Sequence, residues 1–256
     1  YCAYLLKRAR PDANIQLVEQ NPADATFGFG VVFSEQALGF LSRDDPDTHA
    51  AIAPHMEAWN DLTVAHRGAR ITIDGVGFTA IGRLKLLRLL QERARSVGVV
   101  PIHGQTVVSL DAFGDADLII GADGVNSLVR NTHAEQFGAT LTWGSNRFIW
   151  YGVDKAYPTL TQTFRETAFG AFTVHHYRYE PGRSTFLIEV DASTWERAGL
   201  SGMNDAQNRE LCETVFAPEL DARPLLANKS EWRRFPKVHN RRWSVDNKVL
   251  MGDALH

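Results

Sequence analysis

Cysteine is scarce: Cys2 and Cys212 are the only two among 256 residues, and neither stands in a CxxC or other ligand spacing. That argues against a disulfide framework and a structural zinc site, and it suits a reducing cytoplasm. Long apolar runs are missing as well, and nothing approaches the ~20 residues that a membrane helix needs. Neither sign of charge dominates. The formal net charge is −3, so no global field draws the protein to nucleic acid, and an anionic ligand must be held by local groups. Repeats, low-complexity tracts and long linkers are absent. What remains is one large domain or two intimate ones.

The composition that is present is that of an ordinary globular protein, 44% hydrophobic and 22% charged. The chain opens in a helical pattern, with Tyr1, Leu5 and Ala9 on one face and Pro11 as its stop. "IQLVEQ" follows as a short buried strand. A helix without a leading strand is unusual in a doubly wound sheet, so a strand is expected before Tyr1. "FGFGVVFSEQALGF" reads as a glycine-punctuated loop, and residues 47–59 as a helix interrupted at Pro54. "RITIDGVGFTAI" reads as a hairpin about Asp74-Gly75. In "GRLKLLRLLQERARSVG", Leu87, Leu90 and Ala94 share a helical face and Gly98 is the stop. "VVPIHGQTVVSL" is strand material, and Leu118–Ile120 has the continuous apolar character of a strand buried on both faces. Asn126 or Ser127 can cap the helix that follows.

From Phe148 to Val190 the texture changes. "RFIWYGVD", "LTQTFRE", "AFTVHHYRY" and "STFLIEVD" are aromatic and β-branched runs between turns, as in an antiparallel sheet. "NDAQNRELCETVF" is an amphipathic helix, and "NKVLMGD" returns to the buried-strand style of the first half. The fold class expected is therefore α/β, a Rossmann-like parallel sheet interrupted by an inserted antiparallel sheet.

Three acidic positions stand where such strands end. Glu19 closes the first strand, where a dinucleotide fold places a ribose acceptor. Read alone, it is more often an exposed strand-end charge. Asp123-Gly124 in "GADGVNSLVR" brings a carboxylate and backbone N–H groups toward a phosphate or ribose, though Asp-Gly is also a common tight turn. Arg130 nearby reads as a surface charge, and Gly252-Asp253 repeats the strand-to-carboxylate theme.

This order of β-strand–Glu, helix, "DG", antiparallel insertion and "GD" resembles the single-component FAD-dependent aromatic hydroxylases, of the para-hydroxybenzoate hydroxylase type of fold. "TFGFGVVFS", "NRFIWYG", "YEPGRSTFLIE" and "WRRFPKVHNRRW" are more specific. They resemble the hydroxylase portion of the salicylyl-CoA and 2-aminobenzoyl-CoA monooxygenases, and more loosely a violacein-pathway hydroxylase. The resemblance implies FAD as cofactor, with Asp123 and Gly124 near its pyrophosphate and Gly252 and Asp253 at its ribityl chain. It also implies Arg83 at the flavin, Glu19 at the adenosine ribose and Val107 against the adenine. By that likeness residues 1–60, 81–140 and 245–256 form the FAD-binding domain. Residues 61–80 supply a substrate-domain hairpin, and 141–244 the substrate domain.

The activity implied is hydroxylation of an activated aromatic ring, such as an aromatic acyl-CoA, by O₂ through a flavin C4a-hydroperoxide with NAD(P)H as co-substrate. Rival readings are a hydroxylase of tryptophan or indole derivatives, a flavin-binding chain without activity, and an NAD-dependent dehydrogenase. No Ser-His-Asp or Cys-His constellation is needed, and no metal is expected. The glycine fingerprint GxGxxG does not occur in these 256 residues. The resemblance places it before Tyr1, and places further helices after His256. The family's arginine in the loop after the first acidic strand is also lacking, since that loop reads Gly28-Phe29-Gly30. Alternation in "AFTVHHYRY" puts His175 and Tyr177 on one sheet face, as candidates to orient or deprotonate a ring substituent, and His176 on the other. Their bland reading is as ordinary sheet residues. Arg233, Arg234, Lys237, Arg241 and Arg242 form a short basic run that suits either phosphates or a solvated face. A CoA linkage and a homodimer stay open, and neither nucleic acid nor membrane is expected as a partner.

Overall fold

The runs from Phe148 to Val190 do form an antiparallel sheet. In the computed structural model, which describes residues 1–256, its central strands are Thr140–Val153, Leu160–Thr167, Gly170–Glu180 and Arg183–Val190. Across the sheet the order is Leu225–Ala227, Thr140–Val153, Arg183–Val190, Gly170–Glu180, Leu160–Thr167, Leu62–His66 and Ala69–Ile73, with Arg233–His239 also paired to Thr140–Val153. The chain divides into two units, residues 1–104 with 146–233 and residues 105–145 with 234–256. The five-segment division expected above follows presumed role, whereas these units follow contacts.

Period-two alternation decides the two faces of the large sheet in the first unit. One face carries Ile149, Tyr151, Phe172, Val174, Phe186 and Ile188, buried with Leu200, Cys212, Phe216 and Leu220. Burying a Phe or Ile completely contributes about 1.5–3 kcal/mol, so this face is core. The helix Asp205–Val215 that covers it starts with a capping box: Asn204 Oδ1 accepts from the Gln207 amide and Gln207 Oε1 from the Asn204 amide, both at 3.0 Å. The other face carries Trp150, His175, Tyr177 and Leu187, in register across three strands.

Parallel pairing is present in both units. In the first, Val18–Glu19 lies beside Ile102–His103. The helices Cys2–Ala9 and Arg83–Ser96 pack there through Tyr4 and Ala94, with Ile15 and Leu17 against them. In the second, Ile119–Gly121 lies beside Lys248–Leu250. No helix is long and apolar enough to cross a membrane.

Several local expectations are corrected. The supposed loop at Phe27–Phe40 holds a strand, Gly30–Ser34, and a helix, Glu35–Asp44, because Ser34 Oγ accepts from the Ala37 amide at 3.3 Å and caps that helix. Residues 47–59 are not one interrupted helix. Pro46–Ile52 is helical, a 3₁₀ turn follows at Ala53–His55, and Glu57–Trp59 is a strand paired with Phe78–Gly82. The hairpin turns at Arg67-Gly68, not Asp74-Gly75, and it joins Leu62–His66 to Ala69–Ile73. Both turn residues have positive φ, +49° and +82°, the two-residue geometry that matches strand twist. Arginine is a poor advertisement for that turn, and Asp74-Gly75 merely connects two sheets. Strand material around "IQLVEQ" and "VVPIHGQTVVSL" condenses to two-residue ladders, and Val108 is 83% exposed. Ile119 and Ile120 are half-buried and Leu118 is 50% exposed, so that strand is not covered on both faces.

His176 lies on the core face, 2% exposed, with its ring centroid 3.9 Å from that of Tyr157 and 5.6 Å from that of Phe186. Its Nε2 meets Thr163 Oγ1 at 3.3 Å, and its Nδ1 has no partner. Burial holds the imidazole neutral and pushes its pKa down to about 3. The unfolded chain therefore takes up a proton below about pH 6.5 that the native state refuses. Stability from this group is complete above that pH and falls by about 1.4 kcal/mol per unit as the pH drops toward 3. His176→Gln should remove one proton's worth of that slope between pH 4 and 6 in urea denaturation. An unchanged slope would show that the ring does titrate in the fold.

Candidate functional site

In the second unit two carboxylates leave the C-terminal ends of adjacent parallel strands. Gly121 is in register with Leu250, so Asp123 and Asp253 follow their strands by two and three residues. The crevice beyond the carboxyl ends of parallel strands is where open α/β sheets bind ligands. Strand and helix meet closely here. A Cβ on Gly121 would come within 2.8 Å of Val129 and 2.9 Å of Leu250, so glycine is required. Gly124 and Gly252 have φ of +77° and +57°, and a Cβ on either would meet nothing within 4 Å, which leaves the backbone open to a ligand. Asp123 Oδ2 accepts from the Val129 amide at 3.2 Å, while Ser127 Oγ caps the same helix from the Arg130 amide at 3.0 Å. Asp253 is exposed and makes no hydrogen bond or ion pair within the chain.

Arg130 was read as a surface charge, yet it is 2% exposed. Its guanidinium donates to the Ala254 carbonyl at 3.2 Å and to the Val125 carbonyl, tying the two aspartate-bearing turns together. Asn240 supports the same segment by donating to the Leu255 carbonyl at 2.5 Å. A helix-start arginine gives no sign of this in sequence, because both acceptors are main-chain atoms. Val107 lies half-buried in a coil of this unit.

In the first unit Glu19 ends its two-residue ladder, and its Oε1 accepts from the Asn21 amide at 2.7 Å and from Asn21 Nδ2 at 2.8 Å. The second site element there is the sheet face that carries Trp150, His175 and Tyr177, covered in part by Phe29, Trp59 and Ala80. The Gly28–Gly30 backbone lies flat on it: a Cβ on Gly28 would strike Trp150 at 2.8 Å, and one on Gly30 would strike Tyr179 at 2.5 Å. Phe29 in turn occupies the space that a side chain at Gly152 would need. The Gly30 amide donates to Thr185 Oγ1 at 3.0 Å, and Tyr177 donates its hydroxyl to the Gly30 carbonyl at 3.1 Å. Arg83 opens its helix by donating its amide to the Phe29 carbonyl at 2.8 Å, and its guanidinium carbon stands 5.3 Å from the Trp150 ring centroid.

The structure thus gathers Arg83, Trp150, His175 and Tyr177 on one face, with Leu187 between Trp150 and His175 in register. Tyr177 is buried, and its hydroxyl is already spent on the loop. His175 is half-buried, and desolvation lowers its pKa against the opposing pull of Glu189. Glu189 is itself anchored by Asn146 Nδ2 at 2.7 Å. Trp150, whose Nε1 is buried without a partner, was missed as a site residue. Its place in the quoted "IWYG" was the available signal.

No family model matches the chain. It is 38% identical to a salicyloyl-CoA 5-hydroxylase of Streptomyces sp, over 100% of this chain and 51% of that protein. It is 36% identical to a 3-hydroxy-4-methyl-anthranilyl-[aryl-carrier protein] 5-monooxygenase of Streptosporangium sibiricum, over 92% of this chain and 62% of that protein. The chain therefore spans about half to three-fifths of the length of these relatives. Among solved structures, PqsL of Pseudomonas aeruginosa, described as a probable FAD-dependent monooxygenase, matches with a TM-score of 0.70 and 16% identity, over 99% of this chain and 75% of its own. Likeness at that identity carries the fold alone, and it agrees with the α/β class with an inserted antiparallel sheet.

The two kinds of residue in the second unit should separate in a stability measurement. Arg130→Leu leaves the half-buried Val125 carbonyl without its guanidinium donor and the buried Ala254 carbonyl with only Asn240, at 3.4 Å, and should cost about 2–4 kcal/mol. Asp253→Ala removes an exposed, unpaired group and should stay within about 0.5 kcal/mol. Comparable losses in urea denaturation would make Asp253 a structural residue.

Proposed function

We propose that the chain belongs to the FAD-dependent aromatic hydroxylases and that its protein is an NAD(P)H-dependent monooxygenase that hydroxylates an activated aromatic ring. The ring would be carried as an acyl thioester. The observation that carries this reading is the pair of exposed carboxylates, Asp123 and Asp253, at the ends of adjacent parallel strands beside glycine turns with no Cβ. These residues fit FAD: Asp253 is a free acceptor for ribityl hydroxyls, Gly124 offers backbone to a pyrophosphate, and Glu19 suits the adenosine ribose. Arg83 would serve the flavin ring system, Val107 the adenine and Gly252 the close approach of the ribityl chain. By role, 1–60, 81–140 and 245–256 would serve the cofactor, and 61–80 and 141–244 the substrate.

FAD, when bound, supplies the redox chemistry with O₂ and NAD(P)H. The chain's own work is to place the ring and exclude water. Trp150, Leu187 and the flat Gly28–Gly30 backbone offer an apolar platform for an aromatic ring. His175, held neutral at pH 7 by burial, can accept a phenolic or anilinium proton at a ring nitrogen. Tyr177 takes the narrower part of fixing the Gly30 loop. The two free cysteines suit the cytoplasm, where NAD(P)H is available. Homodimer formation remains part of the reading.

Asp253→Ala in the full-length protein should weaken FAD binding roughly ten- to a hundredfold, the loss of about 1.5–3 kcal/mol from a charge-assisted hydrogen bond. Stoichiometric FAD after extensive dialysis would rule that role out. His175→Asn should lower kcat/KM about 10²-fold with FAD content unchanged. It should also abolish the acid limb of the pH–rate profile, which lies below pH 6.5 because burial lowers this pKa. An acid limb that survives in the variant would remove His175 from the proton step.

A further inference from the structure

At the edge of the large sheet the first unit holds a cavity of ≈ 420 Å³, between the loop Ala227–Arg233 and the start of the helix Asp205–Val215. Nothing in the ring chemistry uses it. Three cations line it: Arg209, Lys229 and Arg233. Lys229 Nζ and the Arg233 guanidinium carbon stand 4.9 and 5.9 Å from the ring centroid of Phe27, which forms part of the same wall. Arg209 and Lys229 form no ion pair, and Arg233 meets only Glu231, at 3.3 Å between two exposed side chains. With Asp205 and Glu231 also in the lining, the cavity keeps a surplus of positive charge, as an anion site requires.

The wall is held in place. Lys229 has φ +51°, a left-handed conformation that a lysine adopts only when its surroundings enforce it. Asn228 enforces it by donating to the Gly28 carbonyl at 2.8 Å and the Thr26 carbonyl at 3.3 Å. Ser230 Oγ donates to the Trp150 carbonyl at 2.5 Å. These bonds also fix where the cavity lies. Phe27 is one residue from Gly28, whose backbone rests on the Trp150 ring. The loop segment that packs against Trp150 therefore continues directly into the wall of the cavity at the sheet edge.

We propose that this cleft binds the phosphate of a phosphopantetheine arm, the carrier of the aromatic acyl thioester; this rests on the hydroxylase reading above. The arm ends in a phosphodiester on a carrier protein and in a pyrophosphate in coenzyme A, and guanidinium and ammonium groups are suited to hold either. Coenzyme A and an acyl-carrier protein both present that arm, and the names of the two relatives include one of each.

The test uses the full-length holoenzyme and calorimetric titration with pantetheine 4′-phosphate and with pantetheine. The wild type should bind the phosphate form at least tenfold more tightly. Arg209→Ala and Lys229→Ala should each weaken it about tenfold, without changing pantetheine affinity or FAD content. Equal affinity for the two compounds, or an unchanged Kd in the double variant, would overturn the proposal. Competition by 3′,5′-ADP would identify coenzyme A as the carrier, and its absence would identify a carrier protein, both with the phosphate site intact. Hydroxylation of an aryl N-acetylcysteamine thioester, which lacks the phosphate, separates this proposal from the activity. If that thioester is hydroxylated but pantetheine 4′-phosphate does not bind, the cleft assignment fails and the hydroxylase reading stands. If the phosphate binds as expected and no aromatic thioester is hydroxylated, the hydroxylase reading fails and the cleft stands.

Discussion

The first unit depends on one close approach, the Gly28–Phe29–Gly30 backbone lying against the aromatic face of the large sheet. A Cβ at Gly28 or Gly30 would sit well inside van der Waals contact with Trp150 or Tyr179, so no other residue type permits the approach. The contact is then locked by polar bonds at Gly30, one from the Tyr177 hydroxyl and one to Thr185. Because both are buried, breaking either leaves an unsatisfied group, which costs about 1–3 kcal/mol. Three features hang on this segment. The Phe29 carbonyl receives the first amide of the helix that carries Arg83, the Gly28 carbonyl receives Asn228, and Phe27 walls the cationic cleft.

The second unit answers a different constraint, the delivery of charge into solvent without destabilising the fold. Asp253 stays exposed, so it keeps its hydration, and leaving it unpaired costs little until a ligand arrives. The cation that could have neutralised it, Arg130, is turned inward to main-chain carbonyls instead. The turns gain rigidity while Asp253 remains a free acceptor and Asp123 commits one oxygen to the Val129 amide. That division of labour is what a hydroxyl-rich ligand needs, since a carboxylate committed to an internal ion pair would have to be released before binding.

Much of this was legible wherever the signal was local and periodic. The helices Arg83–Ser96 and Asp205–Val215 and the alternation through Gly170–Glu180 follow from side-chain spacing alone. The carboxylates were found because strand-to-turn junctions have a compositional mark. Partner choice was not legible. Phe78–Gly82 pairs with Gly30–Ser34 and Glu57–Trp59 instead of its sequence neighbour, since pairing is decided by tertiary packing and the true turn used Arg67 in place of Asn or Asp. Arg130 was hidden for a related reason: its acceptors are backbone atoms, and backbone has no letter in the sequence. The cationic cleft was half visible. Arg233 belonged to a conspicuous basic run, but Arg209 and Lys229 come from a helix and a loop that only the fold brings together.

The adjacent histidines show how little of a residue's chemistry is set by its identity. His175 and His176 share a strand and differ only in the direction of the pleat. On the core side, His176 is enclosed by Tyr157 and Phe186 and has one hydroxyl neighbour, so protonation would strand a cation among aromatic rings. On the other side, His175 is only half-buried and feels the Glu189 carboxylate, which offsets part of the desolvation. Both are therefore neutral at pH 7, but only His175 faces a carboxylate that favours its protonated form. A one-residue slip of the strand would exchange the two environments, and register is what prevents it: His175 faces Gln162 and Leu187, and Val174 and Ile188 hold the core side in place. The proton acceptor of the proposed site is thus specified by the packing of the face it does not occupy.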